Sequence, residues 1–516
     1  MSPRPQRTPR PEVVIGLVGA VGTDLYLVAD LLSTVLGGYG YHVQDVISLS
    51  QLLNDIQRRT PLPAAPREAY IGKRMTEGNR LRKRLRQGDA LALLAVAEIV
   101  RRRRELQRTR HLPADRPPEA VAYILRSLKH QEEIATLREI YGERFLCIGA
   151  HAPREGRIRH LAGEIADSHG STDRHEWEAE ATRLAQRDDA EEDRFGQDVR
   201  GTFPRADFFI EASHRTVARE QLERCLNAWF GDPFASPTPE EYAMFHAHAA
   251  GARSADLSRQ VGAAIAIQGD IVAVGCNEVP AFGGGAYWTG QDGDARDCMI
   301  GVDANAHIGS TAIEEVRNAL VRAELIRRDD PTLTPERFAA VLENTRVDQL
   351  TEFGRAVHAE MAAILDAARR GQAIRGATLY TTTFPCHTCA KHIVGAGLTR
   401  VVYVAPYPKS KAGDLHEDSI VIDPSDEPCH KVVFRPFVGI APPRYLAVFE
   451  MVGRRKTDDG YAVAFKPRAA RPKLVVSWDT SYLDREGLAL TSLSQELERH
   501  KVVLIAGREI PAPQPR

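Results

Sequence analysis

The stretch 354–389 decides the reading: G-R-A-V-H-A-E-M-A-A-I-L-D-A-A-R-R over 354–370, then A-T-L-Y-T-T-T-F-P-C-H-T-C over 377–389. Glu360 to Arg370 is rich in strong helix formers and sets Met361, Ile364, Leu365 and Ala368 on one stripe. That puts His358 and Glu360 at the first turn, where unpaired backbone N–H groups gather. Pro385 suits the start of a second helix, on which Cys386 and Cys389 lie three apart and share a face. A helix N-terminus also favours thiolate over thiol. One imidazole and two thiolates make three protein ligands, and with water in the fourth tetrahedral position they describe catalytic zinc. Glu360, two residues from His358, is placed to move protons on that water without binding the metal. A closed structural site would need a fourth ligand, and His387 sits awkwardly between the cysteines. Such a site has no use for Glu360.

Working outward, 516 residues are enough for about three domains with cores of their own. Composition is that of a globular chain, 43% hydrophobic and 27% charged, and the net charge of −1 excludes a globally basic nucleic-acid binder. Of the seven cysteines only Cys386 and Cys389 are closely spaced, which argues against a disulfide framework and for a reducing, cytoplasmic setting. No apolar run reaches the roughly 18 residues of a membrane span, and no signal peptide is expected. The basic, Pro-rich residues 1–11 read as a disordered tail.

Val13–Val18 reads as a strand running into G-L-V-G-A-V-G-T-D (16–24) and an apolar helix, Leu25 to Leu36. Strand, glycine turn, helix is a layout that aims backbone N–H groups at a phosphate, with Gly19, Gly22 and Thr23 as the candidate contacts. It departs from a true phosphate loop: Thr23 stands where lysine is required and Asp24 takes the Ser/Thr place. Degenerate nucleotide binding and a purely structural turn both stay open. Further strands at Ala120–Leu125, Phe145–Ile148 and Ala206–Ile210 alternate with helices, which predicts a parallel sheet over residues 12–232. Asp89 is a candidate cap for a helix from Ala90 to Arg108, and His160–Asp193 reads as a charged, exposed excursion. The turn-rich Gly231–Pro239 marks a domain boundary.

A second domain is expected over 238–452. Its hairpin, with a turn at Gly269-Asp270, plus strands at Ala377–Thr383 and Arg400–Ala405, gives an α-β-β-α-β-α-β order. A long insertion separates the hairpin from His358; it is glycine-rich and aromatic first and helical from Ser310 to Ala340, suiting a lid or an oligomer contact. Residues 453–516 read as an extension packed on this second domain. The fold class is α/β.

These residues carry a resemblance. The segment Glu241–Met451 resembles the cytidine/deoxycytidylate deaminase superfamily through H-A-E (358–360), P-C-H-T-C (385–389), R-S-A-D-L-S-R-Q-V-G-A-A-I (253–265) and G-C-N-E-V-P (275–280). The whole chain is similar to two-domain bacterial anti-phage dCTP/dCMP deaminases, which join a P-loop-kinase-like N-terminal domain to an α/β/α cytidine-deaminase-like domain. The features are the glycine turn, F-G-G-G-A-Y-W (282–288), R-D-C-M-I-G-V-D-A-N (296–305), and Y-P-K-S-K (407–411). The resemblance implies a Zn2+ enzyme converting dCTP to dUTP and dCMP to dUMP during phage infection, with release of ammonia. It also implies restraint by a small RNA or nucleotide regulator, and a homo-oligomer is expected.

Residue by residue, the resemblance makes His358, Cys386 and Cys389 the zinc ligands and Glu360 the proton shuttle. Asn277 matches the sugar-holding asparagine of the G-x-N motif, though a hairpin-end asparagine satisfying backbone has the same look. Arg253, Arg259, Lys409 and Lys411 are candidates for phosphate. Cys276 and Cys298 suit a second metal less well than they suit buried free thiols. Two rivals stay in view: an RNA or single-stranded DNA cytidine/adenosine deaminase, and a nucleotide- or RNA-binding sensor drawing on Gly19–Gly22 and Arg101–Arg104.

Overall fold

Val13–Val18 is apolar without alternation and buried throughout, as a central strand of a parallel sheet requires. It pairs in parallel with Val121–Leu128 and with Phe145–His151. Phe208–Glu211 extends the sheet beyond Phe145–His151, while His42–Val43 and Ile47–Ser48 run parallel to Val121–Leu128. The computed structural model describes residues 10–511 apart from 59, 190, 192, 328–329, 331–332, 344, 346–352, 408–409, 425–429, 452–453 and 474–480. The chain is a mixed α/β protein in two units, Met1–Glu241 with Pro436–Arg516, and Tyr242–Arg435. No described helix is long and apolar enough to cross a membrane.

In the first unit, helices Leu25–Gly38 and Arg215–Trp229 lay Leu32, Leu36, Leu222 and Leu226 into one core with Ile15 and Leu17 of the sheet. Fully burying each such side chain contributes about 1.5–3 kcal/mol. Helix Ala90–Thr109 forms as expected, but Asp89 makes no capping bond to it. Its carboxylate accepts from Thr136 Oγ1 at 2.6 Å instead, tying the helix start to Gln131–Tyr141. The charged segment 160–193 is not merely an exposed excursion. Helices Arg154–Ser168 and Glu178–Asp189 bury Leu161, Ile165, Ala181 and Leu184 against one another.

The C-terminal residues correct the expected boundary. Gly439–Ile440 pairs antiparallel with Phe208–Phe209 at the edge of the first unit's sheet. Helix Tyr482–Arg499 packs on Ala90–Thr109 and Gln131–Tyr141, so the tail belongs to the first unit and does not pack as an extension of the second. A buried ion cluster holds it there. Arg103 donates to Glu12 at 2.7 Å and to both Glu486 oxygens at 2.5 and 2.8 Å, and Tyr482 Oη donates to Glu12 at 2.8 Å.

The second unit is built on a six-stranded sheet in the order Ile420–Ile422, Val432–Pro436, Arg400–Ala405, Thr378–Thr383, Gly262–Ile267, Asp270–Cys276. The hairpin is antiparallel, and Thr378–Thr383 runs antiparallel to Gly262–Ile267 but parallel to Arg400–Ala405. The hairpin turn falls one residue earlier than predicted. Gln268 and Gly269 are both left-handed, with φ 51° and 92°, which matches the twist of the flanking strands. The insertion forms helices Ala304–Arg322 and Pro335–Leu342.

Candidate active site

His358 occupies the N-cap position of helix Ala359–Arg369, and Cys386 that of helix His387–Gly395. Two backbone features hold the first of these. Val357 and Glu278 exchange backbone hydrogen bonds at 3.0 and 3.3 Å, anchoring the residue before His358. Gly275 of the hairpin lies so close to the helix start that a Cβ there would stand 2.3 Å from Ala359 O. On the cysteine side, Phe384 N donates to Ala405 O at 2.7 Å, and Ser410 Oγ donates to Pro385 O at 2.8 Å.

The result is one cluster. His358 Nδ1 lies 3.3 Å from Cys386 Sγ and 3.4 Å from Cys389 Sγ, and the ligand atoms of all three fall within 4.8 Å of one another. Glu360, 4% exposed, places Oε2 3.3 Å from Cys389 Sγ. Hydrogen bonds from the Cys389 thiol, the His358 ring and the Cys389 N–H hold the Cys386 thiol down at about 3. Cys389, which keeps the shared proton, is pushed up. His358 is raised chiefly by its bond to Cys386, and burial raises Glu360. The donor set fits zinc: one imidazole nitrogen and two sulfurs with a fourth position left over. His387 stands outside this group, and among the described residues Cys276 and Cys298 join no comparable one.

The cluster opens into a cavity of about 330 Å3. Asn277 reaches its wall, but its amide is engaged at both ends by backbone: Oδ1 accepts from Val261 N at 2.7 Å and Nδ2 donates to Arg259 O at 2.7 Å. Arg259 also lines the cavity, its guanidinium 5.5 Å from the Tyr407 ring centroid. Arg253 does not line this cavity. It donates to the carbonyls of Ala286 and Tyr287 and stacks on Trp288 at 3.5 Å, bracing the glycine-rich loop. Lys411 pairs with Asp414 at 3.1 Å, and Lys409 lies outside the described residues.

The insertion supplies what the sequence reading missed, placing Asp297, Asp303 and Asn305 on the wall. Arg355, also on the wall, donates to Asp297 at 2.6 Å. Arg355 stands three residues before His358, so a basic residue on the approach to the ligand was the available signal.

The glycine turn forms part of a separate cavity in the first unit. Part of the turn is already engaged. Val21 N donates to Asp188 Oδ2 at 2.7 Å, Lys129 Nζ bridges Gly19 O and Asp188 at 2.8 Å each, and Asp24 caps Leu27 N at 2.9 Å. Gly22, at φ 86°, packs against the Arg157 carbonyl, where a Cβ would lie 2.3 Å away.

The profile of the cytidine and deoxycytidylate deaminase zinc-binding region matches residues 237–405. The deoxycytidylate deaminase of Enterobacteria phage T2 is 31% identical over 159 residues, covering 30% of this chain and 74% of the phage protein. The chain belongs to the cytidine and deoxycytidylate deaminase family. A second family member, the deoxycytidylate deaminase of Enterobacteria phage T4, is 41% identical over 78 residues, 15% of this chain and 40% of that one. Among solved structures, the dCMP deaminase of cyanophage S-TIM5 in complex with dCMP and dUMP is 18% identical, with a TM-score of 0.22, covering 39% of this chain and 98% of that one. The zinc-binding region of this deaminase family contains the His/Cys/Cys cluster.

Proposed function

We propose that the chain deaminates free cytosine deoxynucleotides, dCMP to dUMP and dCTP to dUTP, and so drains the deoxycytidine nucleotide pool in defence against phage. One observation carries the reading: a buried carboxylate, Glu360, set against a three-ligand His358/Cys386/Cys389 cluster at the floor of a single cavity. His358, Cys386 and Cys389 hold the zinc. When bound, zinc supplies the Lewis acidity that makes water nucleophilic near neutral pH. Glu360 takes one proton from that water and gives it to cytosine N3, then carries the second, from the new C4 hydroxyl, to the departing amino group. Water adds at C4, the C4–N bond breaks, and uracil and ammonia result. Burial raises Glu360 above the ordinary carboxylate range, which makes the carboxylate a stronger base toward the water proton and lets the carboxyl hold that proton until it passes to the cytosine.

The cavity volume matches a single small molecule. Arg259 is the cation we assign to substrate phosphate, with Asn277 shaping the loop that presents it. The roles in phage defence and in restraint by a small RNA or nucleotide rest on the resemblance of the whole chain. The test is product analysis on dCMP, dCTP and a cytosine-containing oligonucleotide side by side, joined to nucleotide profiling of cells with and without phage. Turnover of the oligonucleotide alone would overturn the proposal.

A further inference from the structure

The cavity beside the glycine turn has a volume of about 170 Å3 and is also walled by helix Arg67–Leu85. A water molecule's share of liquid volume is about 30 Å3, so the space holds more than an isolated water. Four buried polar atoms of its lining residues have no hydrogen-bond partner among the described residues: Thr23 Oγ1, Arg74 Nε, Arg82 Nε and Asp188 Oδ1. Arg74, Arg82 and Asp188 are 7%, 1% and 0% exposed. Protein interiors leave few such groups unpaired, and several on one cavity point to a missing ligand.

Charge narrows its chemistry. Three cations on the wall are matched by carboxylates: Arg67 by Glu164 at 3.1 Å, Arg82 by Glu133 at 3.1 Å and Lys129 by Asp188 at 2.8 Å. Two others have no carboxylate partner among the described residues. Arg74 donates to Pro63 O and Asn54 Oδ1, and Arg126 lies over the Tyr26 ring at 3.3 Å. Burial lowers the Arg74 pKa and the nearby cations Arg58 and Arg67 add to this, a cost that a bound anion removes. Two unmatched cations suit a phosphate dianion. Asp188 Oδ1 is an acceptor, which a fully ionised phosphate cannot satisfy; it calls for an O–H or N–H donor on the same ligand. Within the turn the Val21 N–H is already held by Asp188, and the phosphate is assigned to the two unmatched cations rather than to the turn.

We propose that this cavity binds a phosphorylated sugar, nucleoside 5′-monophosphates included, with the phosphate on Arg74 and Arg126 and a sugar hydroxyl on Asp188. The site is distinct from the catalytic cavity and does not depend on the deaminase reading. Calorimetric titration of the full-length protein tests it with ribose 5-phosphate, thymidine 5′-monophosphate, thymidine and inorganic phosphate, none of which carries a cytosine amine. Both phosphorylated sugars are expected to bind one per chain, and thymidine and inorganic phosphate at least about tenfold more weakly. Arg126→Ala and Arg74→Met should each weaken sugar-phosphate binding about tenfold, while Arg259→Ala in the catalytic cavity leaves it unchanged. Arg126 is partly exposed, so its variant carries the test if Arg74→Met does not fold. Absence of binding overturns the proposal. So does equal affinity for inorganic phosphate, or binding lost in Arg259→Ala and kept in Arg126→Ala.

Discussion

Glu360 Oε2 lies 3.3 Å from Cys389 Sγ, inside the first turn of a helix whose N-cap is His358. The carboxylate therefore borders the ligand cluster without being one of its three members. Glu360→Ala is expected to keep zinc at the wild-type ratio, measured by elemental analysis, while deamination of dCMP falls about 10²–10⁴-fold. Wild-type turnover in a zinc-loaded variant would remove Glu360 from the chemistry.

Removing a ligand should do the opposite. Cys386→Ser or His358→Ala is expected to lose both zinc and activity, because two remaining donors no longer define a tetrahedral site. Chelation of the wild type should abolish turnover, and added zinc should restore it. Full zinc content in either variant would show that other residues hold the metal.

Gly275 offers a test of positioning from a distance. A methyl group there would meet the backbone at Ala359 and Ala363, 2.3 and 2.4 Å away, and neither neighbour is a flexible side chain. Gly275→Ala is expected to cost about 1–3 kcal/mol in thermal or denaturant unfolding and to lower activity by displacing the helix start that carries His358 and Glu360. Val274→Ala, next in the strand but exposed, should stay within about 0.5 kcal/mol.

The metal cluster was legible because its spacing is local: His358 and Glu360 share one helical turn, and Cys386 and Cys389 another. The parallel sheet was legible for the same reason, through the unbroken apolar run Val13–Val18. What escaped depends on partners distant in the chain. Nothing near Asp188 announces that it fills the glycine turn at Val21, 167 residues away. Helix Tyr482–Arg499 shows an apolar stripe at Leu490, Leu493 and Leu497, but a stripe does not name the surface it covers. The Arg103–Glu486 pair does, across 383 residues. Arg101–Arg104 read as a basic run, yet Arg103 is fully buried and paired.

That pair makes its own prediction. Glu486→Ala leaves Arg103 buried with Glu12 as its remaining carboxylate and removes the acceptor of Tyr141 Oη, bonded at 2.7 Å. Breaking a buried pair from one side costs about 3–5 kcal/mol, which should appear as a lower unfolding midpoint. A variant within 0.5 kcal/mol of wild type would mean that the C-terminal helix is held by its leucines alone.

Asn277 and Arg259 yield the sharpest test of the substrate assignment. The Asn277 amide clamps the loop 259–261 from both ends, donating to Arg259 O and accepting from Val261 N. If Arg259 meets substrate phosphate, Arg259→Ala should raise KM for dCMP about tenfold with a smaller change in kcat. Asn277→Ala should raise KM through the same residue, by releasing the loop that presents it. The double variant is then expected to be little worse than Arg259→Ala, since two changes acting on one contact do not add. Additive losses would mean that Asn277 touches the nucleotide independently, as the sugar-holding asparagine of the family motif would. Unchanged KM in Arg259→Ala would move the phosphate contact elsewhere on the cavity wall, with Arg355 the next cation to vary.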